Sequence, residues 1–248
     1  MNMYYILNYI GAAALIIYNL VRIKERRILT DSRARKWVAK RRISGKEGLF
    51  VKDSFLLVAE SIIISLFQYA PILIFNRVIG DIFGTGVNYF GLLYLAPVSL
   101  GLGCLILETD LLNQMDLVTP AFPLALFFSK LGCFCAGCCE GIACEFGIPN
   151  AFSGIKEFPI QLLEAVVALL IFVFFMKYRK NLKVGTAFPI YVMLYSAIRF
   201  FTEFLSANEV DFLGLKTYQM MCLIGLIVGA MEYYLAITDK RNMNQEDM

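Results

Sequence analysis

Apolar residues along this chain gather into long blocks divided by short polar connections. Seven blocks reach the roughly 20 residues that a helix needs to cross hydrocarbon: about 3–21, 54–75, 88–107, 118–136, 159–176, 186–205 and 218–237. Together with their connections they use almost all of the 248 residues. The pattern predicts an all-α integral membrane protein, one transmembrane domain over 1–248 built as a bundle of about seven helices. There is no convincing internal repeat and no low-complexity tract. Pro97 falls inside the third block, where a membrane helix tolerates it, and Pro120 and Pro123 open the fourth.

Composition agrees with that reading and sharpens it. Hydrophobic residues make up 59% of the chain and charged ones 17%, more apolar than a soluble core requires. The 23 Lys and Arg are very unevenly placed. Twelve lie in 22–52, four follow the fifth block (Lys177, Arg179, Lys180, Lys183), and Lys240 and Arg241 lie in the tail. The alternate connections receive only Arg77, Lys156 and Lys216. Eighteen against three predicts an amino terminus outside and a carboxyl terminus in the cytoplasm. On this layout 22–52 is a basic cytoplasmic loop, 137–158 an outer Gly- and Cys-rich loop, and 239–248 a polar cytoplasmic tail. The first block has no basic residues before it, so a retained helix is expected rather than a cleaved leader. The net charge of +3 is set by topology and gives no reason to expect a nucleic-acid partner.

Two basic residues fall within apolar blocks, Lys130 and Arg199. Tyr195, Arg199 and Glu203 recur every four residues and share one helix face. Arg199 sits six residues before Leu205, roughly 9 Å below the outer end of its helix. An intramembrane arginine is costly and points to function, with Glu203 as its partner one turn away; a structural ion pair between helices is the plainer reading. Pro159-Ile160-Gln161-Leu162-Leu163-Glu164 opens the fifth block and puts Gln161 and Glu164 one turn apart. Topology gathers Lys130, Glu140, Gln161, Glu164, Tyr195, Arg199 and Glu203 at one depth and side, which predicts a polar cavity open to the outer leaflet.

Five of the seven cysteines lie in 133–144 (Cys133, Cys135, Cys138, Cys139, Cys144), among Gly132, Gly137 and Gly141. Packing between helices, a disulfide on the oxidising side, and a metal site are three readings. The metal ranks last, because only Cys135 and Cys138 have ligand spacing and the chain has no His. No metal site and no cofactor are therefore expected.

These positions resemble the prolipoprotein diacylglyceryl transferases. Residues 129–138 follow the frame of that family's G-R-x-G-N-F-x-N-G-E signature: Lys130 stands at the arginine, Gly132, Phe134 and Gly137 match, and Cys133, Ala136 and Cys138 replace the two asparagines and the glutamate. Asp116 and Pro120 fit upstream. Pro159 to Glu164 resembles the P-x-Q-L-Y-E segment, and Tyr195, Arg199 and Glu203 the Y-x3-R-x3-E helix, with Ser206 where a further arginine is usual. Gly214 to Gln219 resembles G-L-S-x-x-Q. At the family's His-Gly-Gly element this chain carries Phe90-Gly91-Leu92.

The resemblance implies transfer of a diacylglyceryl group from phosphatidylglycerol to the cysteine thiol of a lipobox-containing precursor, in a bacterial plasma membrane. A thioether forms and glycerol phosphate leaves. It implies that Arg199 and Lys130 hold phosphate, that Glu203 positions Arg199, and that Tyr195 belongs to the same catalytic group. Gly91, Gly132, Gly137, Glu140, Gln161 and Glu164 are implied to line the substrate site, with Glu140 or Glu164 a candidate base. Two other readings stand beside it: a non-catalytic lipid-binding relative, and a membrane thiol–disulfide oxidoreductase using Cys135-Ala136-Gly137-Cys138.

Overall fold

A computed structural model describes residues 2–21, 62–63, 65–66, 89–107, 109–150, 153–210 and 214–238. Its helices are α1 (Asn2–Val21), α2 (Tyr89–Leu107), α3 (Leu111–Val118), α4 (Ala121–Ala136), α5 (Ile160–Tyr178), α6 (Ala187–Thr202) and α7 (Thr217–Ile237). Among the described residues six stretches are long and apolar enough to cross a membrane: Met3–Val21, Tyr89–Ile106, Leu111–Ala136, Ile160–Tyr178, Ala187–Leu205 and Thr217–Ile237. They match six of the seven expected blocks. The block at 54–75 falls almost wholly outside the described residues, as do the basic stretch 22–52 and the tail 239–248.

Two features differ from expectation. The connection between the third and fourth blocks is largely helical, as α3. Residues at three- and four-residue spacing give it a buried side of Met115, Leu117 and Val118 together with the polar Gln114. The 137–158 connection holds a small antiparallel hairpin, β1 (Ala143–Pro149) with β2 (Lys156–Glu157). Ala143 and Ile148 both pair with Glu157, so a bulge lies between them.

The chain divides into two compact units, Ile16–Val118 and the pair of segments Met1–Leu15 and Thr119–Met248. Within the first, α2 packs on α3. Leu93, Ala96, Leu100 and Cys104 form its buried stripe, while Val98, Leu102 and Leu105 face outward. Two buried polar side chains there donate hydrogen bonds: Tyr18 Oη to the Leu117 carbonyl at 3.1 Å, and Asn19 Nδ2 to Ser65 Oγ at 2.8 Å.

In the other unit α4 lies along α5, and α6 along α7. The core is aromatic. Phe122 of α4 stands 5.5 Å from Phe188 and 6.1 Å from Tyr191 of α6, and Phe175 of α5 lies 6.0 Å from Tyr191. Helix–helix approach in lipid relies on small residues. A Cβ on Gly11 would come within 3.2 Å of Phe128, and one on Gly132 within 3.3 Å of the Tyr4 carbonyl. These glycines let α1 lie against α4. The outward faces of α5 and α7 are apolar (Val166, Leu170 and Val173; Ile224, Ile227 and Met231), as a hydrocarbon solvent requires.

Candidate functional site

Four charged side chains from three helices meet in the unit that holds α4 to α7. Lys130 comes from the penultimate turn of α4, Glu164 from the first turns of α5, and Arg199 and Glu203 from the end of α6. The Lys130 Nζ lies 2.6 Å from Glu164 Oε2. Arg199 donates through Nη1 to the other Glu164 oxygen and reaches Glu203 Oε2 through Nη2 at 2.5 Å. All four are nearly out of solvent, and the Glu203 side chain is completely buried. Two cations face two carboxylates, so the cluster is neutral as a whole. Isolated charges here would each cost several kcal/mol; pairing is what permits them.

The surroundings hold this cluster in shape. Asn208 Nδ2 donates to Glu203 Oε1 at 2.6 Å. Lys216 Nζ donates to the carbonyls of Glu203 and Ser206 at 2.9 and 2.6 Å, tying down the turn that follows α6. The Arg199 guanidinium lies 5.4 Å from the ring centroid of Tyr218, the second residue of α7. Asn208, Lys216 and Tyr218 carry no local signal as site residues. Lys216 and Tyr218 fall inside the Gly214 to Gln219 segment of the resemblance but at positions it does not single out, and Asn208 is a lone amide in a connection.

The Cys-rich connection is strapped over the same end of the helices. Gly137 adopts φ 62° and closes α4, with its own N–H donating to the Phe134 carbonyl at 3.1 Å and that of Cys138 to the Cys133 carbonyl at 3.1 Å. Gln161 Nε2 donates to the Cys138 carbonyl at 2.8 Å. Beyond it Ile142 N–H bonds to the Leu205 carbonyl and Ala207 N–H to that of Glu140. Gly141 lies so close to Phe158 that a Cβ would stand 2.1 Å from its carbonyl oxygen. A cavity of about 240 Å³ under the hairpin is lined by Phe134, Cys135, Asn150, Glu157, Phe158 and Gln161 among others.

The thiols are not arranged as their spacing suggests. Cys135 does not join Cys138. Instead Cys133, Cys138 and Cys139 bring their sulfurs within 4.8 Å of one another. Hydrogen bonds from the Cys133 and Cys138 thiols hold the Cys139 thiol well below its usual range, and Lys130 and Arg199 act in the same direction.

Of the residues singled out from sequence, Lys130, Glu164, Arg199 and Glu203 come together. Tyr195 lies one turn before Arg199 on α6, buried, its ring 6.2 Å from Tyr191. Gln161 and Gly137 shape the connection, and Gly132 faces α1. Glu140 is exposed and joins through its backbone. Gly91 lies on α2, in the unit Ile16–Val118.

Fold and site together define a multi-pass helical membrane protein with a buried, charge-balanced cluster near the helix ends. The sequence model of the prolipoprotein diacylglyceryl transferases matches residues 33–235. The chain belongs to that family. It is 33% identical over 155 residues to the phosphatidylglycerol–prolipoprotein diacylglyceryl transferase of Clostridium tetani, covering 59% of this chain and 62% of that one. With transferase 2 of Clostridium perfringens it shares 28% identity over 160 residues, 61% and 62% of the two chains. With the Clostridioides difficile enzyme it shares 32% over 139 residues, 55% and 56%. The chain thus spans from 56% to 62% of the length of these relatives.

Proposed function

We propose that this protein transfers the diacylglyceryl group of phosphatidylglycerol to the cysteine thiol of a lipoprotein precursor, at the outer face of a bacterial plasma membrane. The observation that carries the proposal is the position of Glu164, whose carboxylate bridges Lys130 and Arg199. A carboxylate held by two cations occupies the place that a phosphodiester would take.

When the lipid headgroup arrives, its phosphate replaces Glu164 against Lys130 and Arg199. Arg199 keeps its orientation, because Glu203 and the Tyr218 ring hold the guanidinium from other sides. As the acceptor sulfur attacks the glyceryl carbon, the bond from that carbon to the phosphate oxygen breaks and charge grows on the departing glycerol phosphate. Preoriented cations in a water-poor site stabilise that charge most. Arg199 offers a two-pronged donor and Lys130 a point charge. The displaced Glu164 becomes a free carboxylate beside the reaction, better placed than the exposed Glu140 to take a proton.

Production of this chain in cells depleted of their own transferase, with a reporter lipoprotein followed by mass, tests the reading. A gain of one diacylglyceryl group is expected. An unmodified reporter, with the protein inserted and abundant, overturns it.

A further inference from the structure

The convergence of Cys133, Cys138 and Cys139 has no part in holding phosphate, and packing does not explain it. Cys139 is exposed and adopts φ 60°, a left-handed conformation that a non-glycine residue rarely adopts. Such strain persists where surrounding structure enforces it. Here the left-handed Gly137 and the Gln161 bond to the Cys138 carbonyl turn the chain back over the last turn of α4. Two sulfurs from the connection thereby reach the one from the helix.

Three sulfurs around a zinc ion lie about 2.3 Å from it, hence about 4 Å from one another. The observed separations, all within 4.8 Å, reach this spacing through small side-chain rotations. Charge favours a cation at this place. The cluster sits at the carboxyl end of α4, the negative end of its dipole. The neighbouring cations Lys130 and Arg199 are already balanced by Glu164 and Glu203. The exposed side at Cys139 leaves a fourth position open, the arrangement of reactive rather than purely structural zinc sites.

We propose that Cys133, Cys138 and Cys139 bind one zinc ion and that its open fourth position receives the thiol of the acceptor cysteine. This rests on the transferase reading above and gives the acceptor thiol an activating group besides the displaced Glu164. The chain has no imidazole to act as base, and the acceptor must react as thiolate. A thiol bound to such a cation gives up its proton to water. Its sulfur then bonds to the glyceryl carbon, and the electron pair of the broken carbon–oxygen bond stays on the phosphate. The product thioether is a neutral, weaker ligand and leaves.

The test uses the full chain in phosphatidylglycerol nanodiscs, stripped by chelator under reducing conditions and reloaded with zinc or cadmium. One equivalent of zinc and a sulfur-to-cadmium charge-transfer band are expected for the unaltered chain, for Cys135→Ser and for Cys144→Ser. Both signals are lost on Cys133→Ser, Cys138→Ser or Cys139→Ser. Stripping is expected to lower reporter lipidation by on the order of 100-fold, restored by zinc. Failure of the unaltered chain to take up either metal, or a disulfide within the triad in the purified chain, overturns the zinc proposal whether or not variants fold. Lipidation that persists in such a metal-free chain overturns it too, and leaves the transferase reading standing. Stoichiometric binding with no lipidation under any loading overturns the transferase reading and with it the acceptor role, while the zinc site stands.

Discussion

Lys130 and Glu164 meet at 2.6 Å across the α4–α5 contact, and the second oxygen of the same carboxylate accepts from Arg199. One acidic side chain thus neutralises two cations delivered by different helices. Glu164→Gln would leave both facing a neutral amide while almost fully buried. Breaking a buried pair in this way costs about 3–5 kcal/mol. A marked fall in the thermal midpoint of the purified protein is expected, against almost no change for the exposed Glu140→Gln. Equal midpoints for the two variants would contradict the bridging role.

Arg199 is the group assigned to the phosphate. Arg199→Lys keeps the charge but loses the fork, so it is expected to retain a small fraction of reporter lipidation. Arg199→Gln should lower it by about 10²- to 10³-fold, the usual cost of one transition-state donor. Single-turnover rates in phosphatidylglycerol vesicles measure both. Unchanged rates would remove Arg199 from the mechanism.

A backbone prediction separates two glycines. Gly141→Ala would drive a methyl group into the Phe158 carbonyl, 2.1 Å away, and must displace the connection strapped over the site. Overpacking of this kind costs about 1–3 kcal/mol. Gly101→Ala on α2 meets only Leu111 Cδ2 at 3.7 Å and should be neutral or slightly stabilising. The difference in thermal midpoint between the two variants is the readout, and a Gly141→Ala protein as stable as the parent would refute the close approach.

Orientation can be read by labelling. The basic residues around the α5–α6 connection predict that it lies inside and the hairpin outside. With a membrane-impermeant maleimide on intact cells, Ser153→Cys should label above the native cysteine background. Asn181→Cys should label only after permeabilisation. The opposite pattern would invert the topology and place the site in the inner leaflet.

Much of this architecture was legible along the chain because lipid imposes a strong length rule: six apolar blocks coincide with described helices, often to within a residue or two. Tyr195, Arg199 and Glu203 were readable as one face because a four-residue recurrence is a property of the helix itself. The part played by Glu164 was not. Its neighbours belong to α4 and α6, and only packing brings them to one carboxylate. The sulfur triad was hidden for a different reason. Spacing favours Cys135 with Cys138, but the left-handed turn at Gly137 reverses the chain, so residues five and six positions beyond Cys133 return to it. The hairpin and α3 are short and depend on tertiary contacts, which local pattern does not record.

The neutrality of the cluster has a consequence for selection between ligands. With Glu164 already seated on both cations, no net positive field draws in stray anions. A soluble phosphate must compete with a tethered carboxylate that never diffuses away. A lipid in the surrounding leaflet also never diffuses far, and its headgroup meets the site at the high effective concentration that confinement confers. Under the proposed function, discrimination would come from dimensionality as much as from shape: the competitor built into the helix would set a threshold that a membrane-bound substrate passes and a dissolved anion does not.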